Sequence, residues 1–273
     1  MNLDAVLAIA EKDVREVGQS TQMLLPLLVV PLVFVVVLPA GVILLPQYVP
    51  IPESEYAFVG RLLGSLPADI QSVVAPLSLE QQFVYLAVTY LFSPLFLVVP
   101  LMVSNIIAAS SFAGEKERGT IEGLLYAPVS NTELFVGKVL AAFVPAIVVA
   151  VVGFVGYVVV VDALTYEQFG RLLLPNTLWL VLILWIVPAV SIFSLGVTVL
   201  VSMKARGFQE AQQIAGVVVL PIVALVLAQV TGVLFLSTGL LVAIGALVFV
   251  LDAVLVWAGV RAFEPETLLT GGA

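Results

Sequence analysis

The densest group of charged side chains lies between residues 111 and 138, in a chain that otherwise carries few charges. The chain has ten basic and 18 acidic residues in all, and seven of them lie here: Glu115, Lys116, Glu117, Arg118, Glu122, Glu133 and Lys138. Such a segment can form charge-assisted hydrogen bonds and ion pairs with a partner protein. The alternative interpretation is a solvated loop between two apolar segments, with no partner.

The order of residues in this segment predicts a helix end followed by a short second helix. Gly119 is a favourable place for the first helix to stop. Thr120 can cap the second helix, whose Leu124 and Leu125 form part of an apolar face. Pro128 would end it.

Ser130 and Glu133 have the spacing of a capping box. In that motif the Ser side chain accepts from the backbone of the third helical residue, whose own side chain accepts from the cap residue. A new helix is therefore predicted to begin here. The segment would then hold a short amphipathic helix crosswise between two long ones.

Three polar residues inside apolar stretches are considered as candidate functional groups. Asp252 is a candidate functional group, since a carboxylate within a membrane span is costly, although it could also lie at the interface. Asn105, and likewise Gln229, more often hydrogen-bonds between helices than binds a substrate. The glycines Gly153 and Gly156 are predicted to allow close helix packing, and Trp179 is predicted to pack rather than to bind a ligand.

The residue types that are missing exclude several chemistries. The chain has no cysteine and no histidine, so a His-dependent triad, a zinc hydrolase and Cys-ligated metals are excluded. No Gly-x-x-x-x-Gly-Lys-Ser/Thr string occurs, so the chain is predicted to bind no nucleotide itself. A net charge of −8 argues against nucleic-acid binding. We therefore expect no catalytic residue, no metal and no cofactor in this chain.

The elements that carry these residues are predicted to be membrane-spanning helices. The chain is 62% hydrophobic with a mean hydropathy of +1.21, and a span needs roughly 20 apolar residues. The fold class is therefore all-α, a polytopic membrane protein, with residues 1–273 forming one transmembrane domain. The predicted spans are 23–45, 82–110, 139–161, 174–202, 211–230 and 239–259, with an outer loop at 46–80 and a cytoplasmic segment at 111–138.

The first 20 residues are predicted to form an amphipathic helix at the membrane surface. Leu3, Val6, Leu7, Val14 and Val17 recur at spacings of three and four, among charged residues. A polar lead-in to the first span is the alternative interpretation.

The distribution of basic residues predicts the orientation. Six spans put both termini on one side, and Lys and Arg accumulate in cytoplasmic loops. Placing the N-terminus inside leaves only Arg61 and Arg171 outside among the ten basic residues. Both termini are therefore expected in the cytoplasm.

The string from Gly114 to Lys138 resembles the signature of ABC-2 type transporter permeases. The matching positions are Glu115, Glu117, Gly119, Thr120, Glu122, Leu124, Leu125, Pro128, Ser130, Glu133, Gly137 and Lys138. The motif covers about 25 residues, and the six-span topology agrees with it.

The resemblance implies that the chain is the permease subunit of an ATP-binding-cassette transporter, an exporter in the plasma membrane. It implies a homodimer or heterodimer of permeases above cytoplasmic ATPase subunits, which bind ATP and Mg²⁺. The implied ATPase-coupling residues are Glu115, Glu117, Arg118, Gly119, Thr120, Glu122, Leu125, Pro128, Ser130, Glu133 and Lys138. The alternatives are an ion-coupled secondary transporter that uses Asp252 and a membrane component of a cofactor or metalloenzyme maturation system. The substrate stays open.

Overall fold

The computed structural model describes residues 2–48, 64, 66–119 and 129–262. Within these ranges the chain is helical and forms no strand. The predicted short coupling helix lies outside the described residues, and so do Thr120, Glu122, Leu125 and Pro128.

Eight helices follow one another along the described chain, several of them continued through π-helical or 3-10 turns. Their bounds are as follows: α1 Leu3–Gln19; α2 Thr21–Leu32, Val33–Val37 and Leu38–Tyr48; α3 Ala68–Val74; α4 Leu79–Leu86, Ala87–Leu91, Phe92–Phe96, Val98–Ala109, Ser110–Gly114 and Glu115–Glu117; α5 Asn131–Phe169; α6 Thr177–Val181, Leu182–Ile186 and Val187–Lys204; α7 Phe208–Ala215, Gly216–Val219 and Leu220–Val230; α8 Thr238–Ala262.

Six of these helices are long and apolar enough to cross a membrane, which confirms the predicted number of spans. They are α2, α4, α5, α6, α7 and α8. The helical segments that contain the spans of α4 and α5, Leu79–Glu117 and Thr132–Phe169, are 39 and 38 residues long. At about 1.5 Å per residue each is nearly twice the roughly 30 Å of a hydrocarbon core. Both helices must therefore project well beyond the bilayer.

The helix α4 is the centre of the bundle. In the most apolar 18 residues of α4, 72% of the residues are buried, whereas the corresponding share is 17% in α2, α7 and α8. It ends at Glu117, and Gly119 follows with a φ of +68°, as the predicted stop requires. Because the end of α4 lies among other helices, its charged residues meet several of them.

The helix α5 begins and ends differently from its predicted span. Ser130 and Glu133 form the predicted capping box, so the helix starts eight residues before the predicted bound at 139. It continues past 161 to Phe169. Within this last part, the Asp162 carboxylate accepts hydrogen bonds from the backbone N–H groups of Leu173 and Leu174, at 2.8 and 3.1 Å, and so holds the segment that follows the helix. Gly170, with a φ of +65°, ends the helix.

An aromatic cluster ties α4 to α5 and α6. The buried Trp179 ring stacks on Tyr157 at 4.5 Å between centroids, and its Nε1 donates to the Thr89 carbonyl at 3.0 Å. The Tyr157 hydroxyl donates to the Val88 carbonyl at 2.7 Å. Both carbonyls belong to the π-helical turn Ala87–Leu91, where the regular i to i−4 pattern is interrupted. Trp179 therefore packs, as predicted.

Glycines allow close approach at several helix pairs. A Cβ on Gly156 would lie 3.1 Å from Val35, while on Gly153 it would lie 3.5 Å away, so Gly156 is the tighter of the two predicted packing sites. Gly196 is tighter still, because its Cβ would lie 2.9 Å from Cβ of Leu255. This contact brings α8 close against α6.

Candidate functional site

Four consecutive charged residues at the end of α4 together contact four other helices. We call Glu115, Lys116, Glu117 and Arg118 the charged hub. Around it lie α1, the start of α5, the end of α6 and the start of α7. The hub directly precedes residues 120–128, which the sequence analysis assigns to the coupling helix.

The first hub residue forms a buried ion pair with the start of α5. Glu115 and Lys138 are both 1% exposed, and Lys138 Nζ lies 2.5 Å from Glu115 Oε2. Lys138 also donates to the Ser111 carbonyl at 2.6 Å. Asp13 of α1 adds a second carboxylate 3.6 Å from the same ammonium. A buried charge is tolerated only when it is paired and hydrogen-bonded, as it is here.

Lys12 of α1 binds the same carboxylate from the other side. Its ammonium donates to Glu115 and, at 3.2 Å, to Asp13. Burial alone would lower the pKa of Lys12, but the hydrogen bond to Glu115 and the two negative charges outweigh it, so this pKa lies above its ordinary value. Lys12 therefore stays cationic, and Glu115 joins α1 to α5.

The last hub residue, Arg118, binds α1 at its surface. Its guanidinium lies 2.5 Å from the Glu16 carboxylate, with 40% and 34% of the two side chains exposed. Exposed pairs of this kind contribute about 0–1 kcal/mol and are screened by salt. The enclosed Glu115–Lys138 pair is therefore the stronger constraint on this part of the bundle.

The two middle hub residues bind helix termini of matching polarity. Lys116 donates to the carbonyls of Met203 and Ala205, at 3.1 and 3.3 Å, where α6 ends. Glu117 accepts from the backbone N–H of Phe208 at 2.9 Å, where α7 begins. Cations are stabilising at helix C-termini and anions at N-termini, each by about 0.3–1 kcal/mol. The hub thus holds the α6–α7 connection.

The connection between α6 and α7 lies close against the hub at Gly207. A Cβ on Gly207 would lie 2.5 Å from Glu117 Oε2. The φ of Gly207 is −171°, an extended conformation that any residue can adopt, so the backbone itself does not require glycine here. A larger residue would instead displace the Glu117 carboxylate, which accepts from the Phe208 backbone.

The helix α1 is also held along the first turns of α5. The Glu133 side chain, already part of the capping box, accepts from the backbone N–H of Asn2 at 2.5 Å. A Cβ on Gly137 would lie 2.9 Å from Cβ of Ile9 and 3.0 Å from the Val6 carbonyl. The adjacent Gly137 and Lys138 thus have complementary roles: the glycine lets α1 approach, and the lysine binds it.

The structure brings most of the described candidate residues together, but it turns them inward. Glu115, Glu117, Arg118, Glu133 and Lys138 all contact other parts of this chain. Glu115 and Lys138 are enclosed, so in this conformation their side chains do not reach a partner. Both side chains are internal links of the bundle here, and their role in coupling to an ATPase stays a prediction.

Sequence analysis missed the part that α1 plays in this site. The charged residues of this helix were predicted to lie on an amphipathic helix that fits the family, without any contact being assigned to them. In the structure Lys12 and Glu16 bind the hub, and Asp13 binds Lys138 beside it. The available signal was Asp13, which lies seven residues after Val6 and four before Val17 and so shares their face. A charge on the predicted apolar face indicates a buried partner.

Three carboxylates meet where α1 contacts the hub, and each of them belongs to an ion pair. Carboxylate oxygens of Asp13, Glu16 and Glu115 lie within 4.8 Å of one another, close enough to hold a metal ion. However, the ammonium groups of Lys12 and Lys138 and the guanidinium of Arg118 bind these same carboxylates. The cations already neutralise them, so the cluster is suited to joining helices rather than to binding a metal.

The polar residues within the spans lie away from the hub, and they are Asn105, Gln229 and Asp252. Asn105 links three spans, because its side chain accepts from Thr198 of α6 at 3.3 Å and donates to the Gln212 carbonyl of α7 at 3.4 Å. This agrees with the predicted interhelical role. Gln229 differs: its buried amide has no hydrogen-bond partner among the described residues.

Asp252 lies within the bundle, on the side of α8 that faces α6. It is 3% exposed, and neither carboxylate oxygen has a hydrogen-bond partner among the described residues. Three residues further on, Leu255 contacts Gly196 of α6. The carboxylate is therefore enclosed between helices, while its depth in the membrane, within the span or at the interface, stays a prediction.

Comparison with known proteins identifies a family to which the chain is similar. A family model described as ABC-2 family transporter protein matches residues 7–240, from within α1 to the beginning of α8. No curated protein matches the chain. The matched region includes the charged hub and the residues described above as its partners on α1, α5, α6 and α7.

Proposed function

The chain belongs to the ABC-2 family of transporter proteins, and we propose that it is the permease subunit of an exporter driven by a separate ATPase chain. It spans the membrane several times. In this proposal it lies in the plasma membrane with both termini and the charged hub in the cytoplasm. ATP and Mg²⁺ bind to the ATPase, and two permease chains form the substrate path.

The observation that carries the proposal is the position of the hub beside residues 120–128. In the family this segment is the short helix that contacts the ATPase. The hub connects the end of α4 to four other helices: Glu115 binds α5, Lys116 binds α6, Glu117 binds α7 and Arg118 binds α1. A displacement of the coupling segment would therefore move the ends of five helices together. Such rigid-body motion is a known means of switching between conformations.

The proposed orientation is supported by charge. Eight of the ten basic residues lie at the end of the bundle that contains the hub, or in the segments beside it, and this bias is typical of the cytoplasmic side. The exposed Leu3, Leu7 and Val14 of α1 are suited to lipid at the same membrane surface.

The proposal is tested by purifying the tagged chain from native membranes and identifying what accompanies it. We expect a stoichiometric protein with a Gly-x-x-x-x-Gly-Lys-Ser/Thr motif. Glu122→Lys, within the coupling segment, should abolish this recovery. Glu80→Lys makes the same charge change at an exposed site at the other end of α4, and it should have no effect.

Two results would contradict the proposal. One is recovery of a folded, abundant permease without any such ATPase. The other is equal loss of the partner in the Glu122→Lys and Glu80→Lys variants. The first result would favour the ion-coupled carrier, for which the enclosed carboxylate of Asp252 is the specific observation. A chain of that kind should transport its substrate in the absence of any ATPase, and Asp252→Asn should abolish this transport. The second result would overturn the assignment of residues 120–128 as the segment that binds the ATPase.

A further inference from the structure

A cavity of about 220 Å³ lies at the end of the bundle opposite the charged hub. It is enclosed by α3, by the first turns of α4 and by the starts of α6 and α8. Sites for drug-sized ligands usually measure roughly 300–1,000 Å³, so this cavity has room for one small ring. Thr177 and Ser237 are exposed at its rim, while Ile70 and Leu236 are buried.

Thr89 is an enclosed polar group of this cavity that lacks a partner. The residue is 1% exposed, and its hydroxyl has no hydrogen-bond partner among the described residues. Two other buried helical threonines, Thr165 and Thr198, donate to the carbonyl four residues back, at 2.8 and 2.7 Å. Thr89 belongs instead to the π-helical turn Ala87–Leu91, and such turns are frequent at functional sites.

The remaining polar groups of the cavity are uncharged and can both donate and accept hydrogen bonds. Asn176 uses its Oδ1 to accept from the Trp179 backbone, so its amide protons remain as donors. Ser237 accepts from the Leu240 backbone and keeps its hydroxyl proton as a donor. Tyr85 and Tyr90 add two aromatic rings with centroids 6.3 Å apart. Among the residues that the structure describes, no residue lining the cavity is acidic or basic.

We propose that this cavity binds the uncharged ring of a glycosyl unit, either a free sugar or the headgroup of a glycolipid. Ring hydroxyls can donate to and accept from the hydroxyl and amide groups of the lining, and the ring's C–H faces can pack on tyrosine. A purely apolar ligand would leave the Thr89 hydroxyl buried without a partner. A charged ligand would have no counter-ion in the lining, because Arg171 lies near Tyr85 but is exposed outside the cavity.

This site does not depend on the proposed ATPase, so binding is measured on the purified chain alone. Trp179 reports on the cavity, because its Nε1 binds the carbonyl of Thr89. We would titrate tryptophan fluorescence in phosphatidylcholine nanodiscs, which contain no sugar. The soluble probes are methyl glucoside, methyl galactoside and methyl mannoside, and the charged probe is methyl glucuronide. A monoglycosyl diacylglycerol in the nanodisc tests the lipid source.

The matched variants are Thr89→Val and Thr165→Val, which remove a hydroxyl from the same residue type. Thr165 does not line the cavity. A hydrogen bond to a neutral ligand typically contributes about 0.5–1.5 kcal/mol, so Thr89→Val should weaken neutral-sugar binding by roughly twofold to tenfold. Thr165→Val should leave the affinity unchanged, and circular dichroism would check that both variants are helical.

Each outcome decides the proposal. Saturable binding of a neutral glycoside or of the glycolipid, weakened only by Thr89→Val, supports it and identifies the source. Tighter binding of methyl glucuronide than of the neutral glycosides would overturn the assignment to uncharged rings. No saturable response to any neutral glycoside or to the glycolipid, or equal responses of the two variants, would overturn the site itself.

Discussion

Lys138 carries the most constrained charge of the site, because its ammonium is enclosed between Glu115, Asp13 and the Ser111 carbonyl. Lys138→Met keeps the approximate length of the side chain but removes the cation that pairs with the carboxylates of Glu115 and Asp13. Removing one partner of a buried ion pair costs about 3–5 kcal/mol, and we expect the lower end because Lys12 still binds Glu115. The measurement is thermal unfolding of the purified protein, followed by size-exclusion chromatography.

Arg118→Met is the control for this prediction, since its pair with Glu16 is partly exposed and should contribute at most about 1 kcal/mol. Adding Glu115→Gln to Lys138→Met should recover part of the lost stability, because it removes one unpaired charge. Equal effects of Lys138→Met and Arg118→Met would show that the enclosed pair does not stabilise the bundle.

Tyr157 gives a second prediction at the level of one atom. Its hydroxyl donates to the Val88 carbonyl within the π-helical turn of α4. Tyr157→Phe leaves that buried carbonyl without a donor, which costs about 1–3 kcal/mol. Thermal unfolding should show this loss, while Tyr166→Phe, at a residue that is 55% exposed, should show none. A Tyr157→Phe protein as stable as the Tyr166→Phe protein would mean that another group satisfies the carbonyl.

At the scale of elements, the spans could be predicted from the sequence and their contacts could not. Six apolar stretches need only the hydrophobic thickness of a bilayer, and the structure contains six such helices. The capping box at Ser130 was predictable because it is local. The ion pairs of Glu115 with Lys12 and Lys138 join residues 103 and 23 positions apart, and no local rule selects those partners among ten basic residues.

The helix α1 yields the prediction that belongs to this scale. Gly137 lets α1 lie against α5, and a Cβ there would be 2.9 Å from Cβ of Ile9. Gly137→Leu should therefore displace α1 and expose Val6, which is buried against α5. Because the chain has no cysteine, Val6→Cys gives a single labelling site. We expect maleimide to label Val6→Cys slowly alone and rapidly together with Gly137→Leu.

Gly18→Leu serves as the matched change on α1 itself, because a Cβ on Gly18 would meet nothing within 4 Å. Val6→Cys should stay protected in that background. Protection that persists with Gly137→Leu would show that α1 docks without the close approach at this glycine.

At the scale of the whole molecule, binding an ATPase and responding to it should be separable. Residues 120–128 are proposed to bind the partner, while Lys116 and Glu117 connect that segment to the ends of α6 and α7. Lys116→Met combined with Glu117→Gln keeps the side-chain sizes and removes the two interactions with helix termini, at a cost of about 0.3–1 kcal/mol each. That loss is too small to unfold the bundle, so the double variant should still co-purify with the ATPase, unlike Glu122→Lys.

The response to nucleotide should nevertheless be lost in this double variant. The readout is maleimide labelling of Thr177→Cys, at the far end of α6, in the assembled complex with and without ATP. We expect ATP to change the labelling rate in the otherwise unaltered permease, because motion at the hub moves α6 as a rigid element. The double variant should label at one rate in both conditions. If ATP changes the labelling rate of the double variant as much as that of the unaltered permease, the motion must reach α6 without the contacts of Lys116 and Glu117. The hydrogen bond between Thr198 of α6 and Asn105 of α4 is one contact that could transmit it.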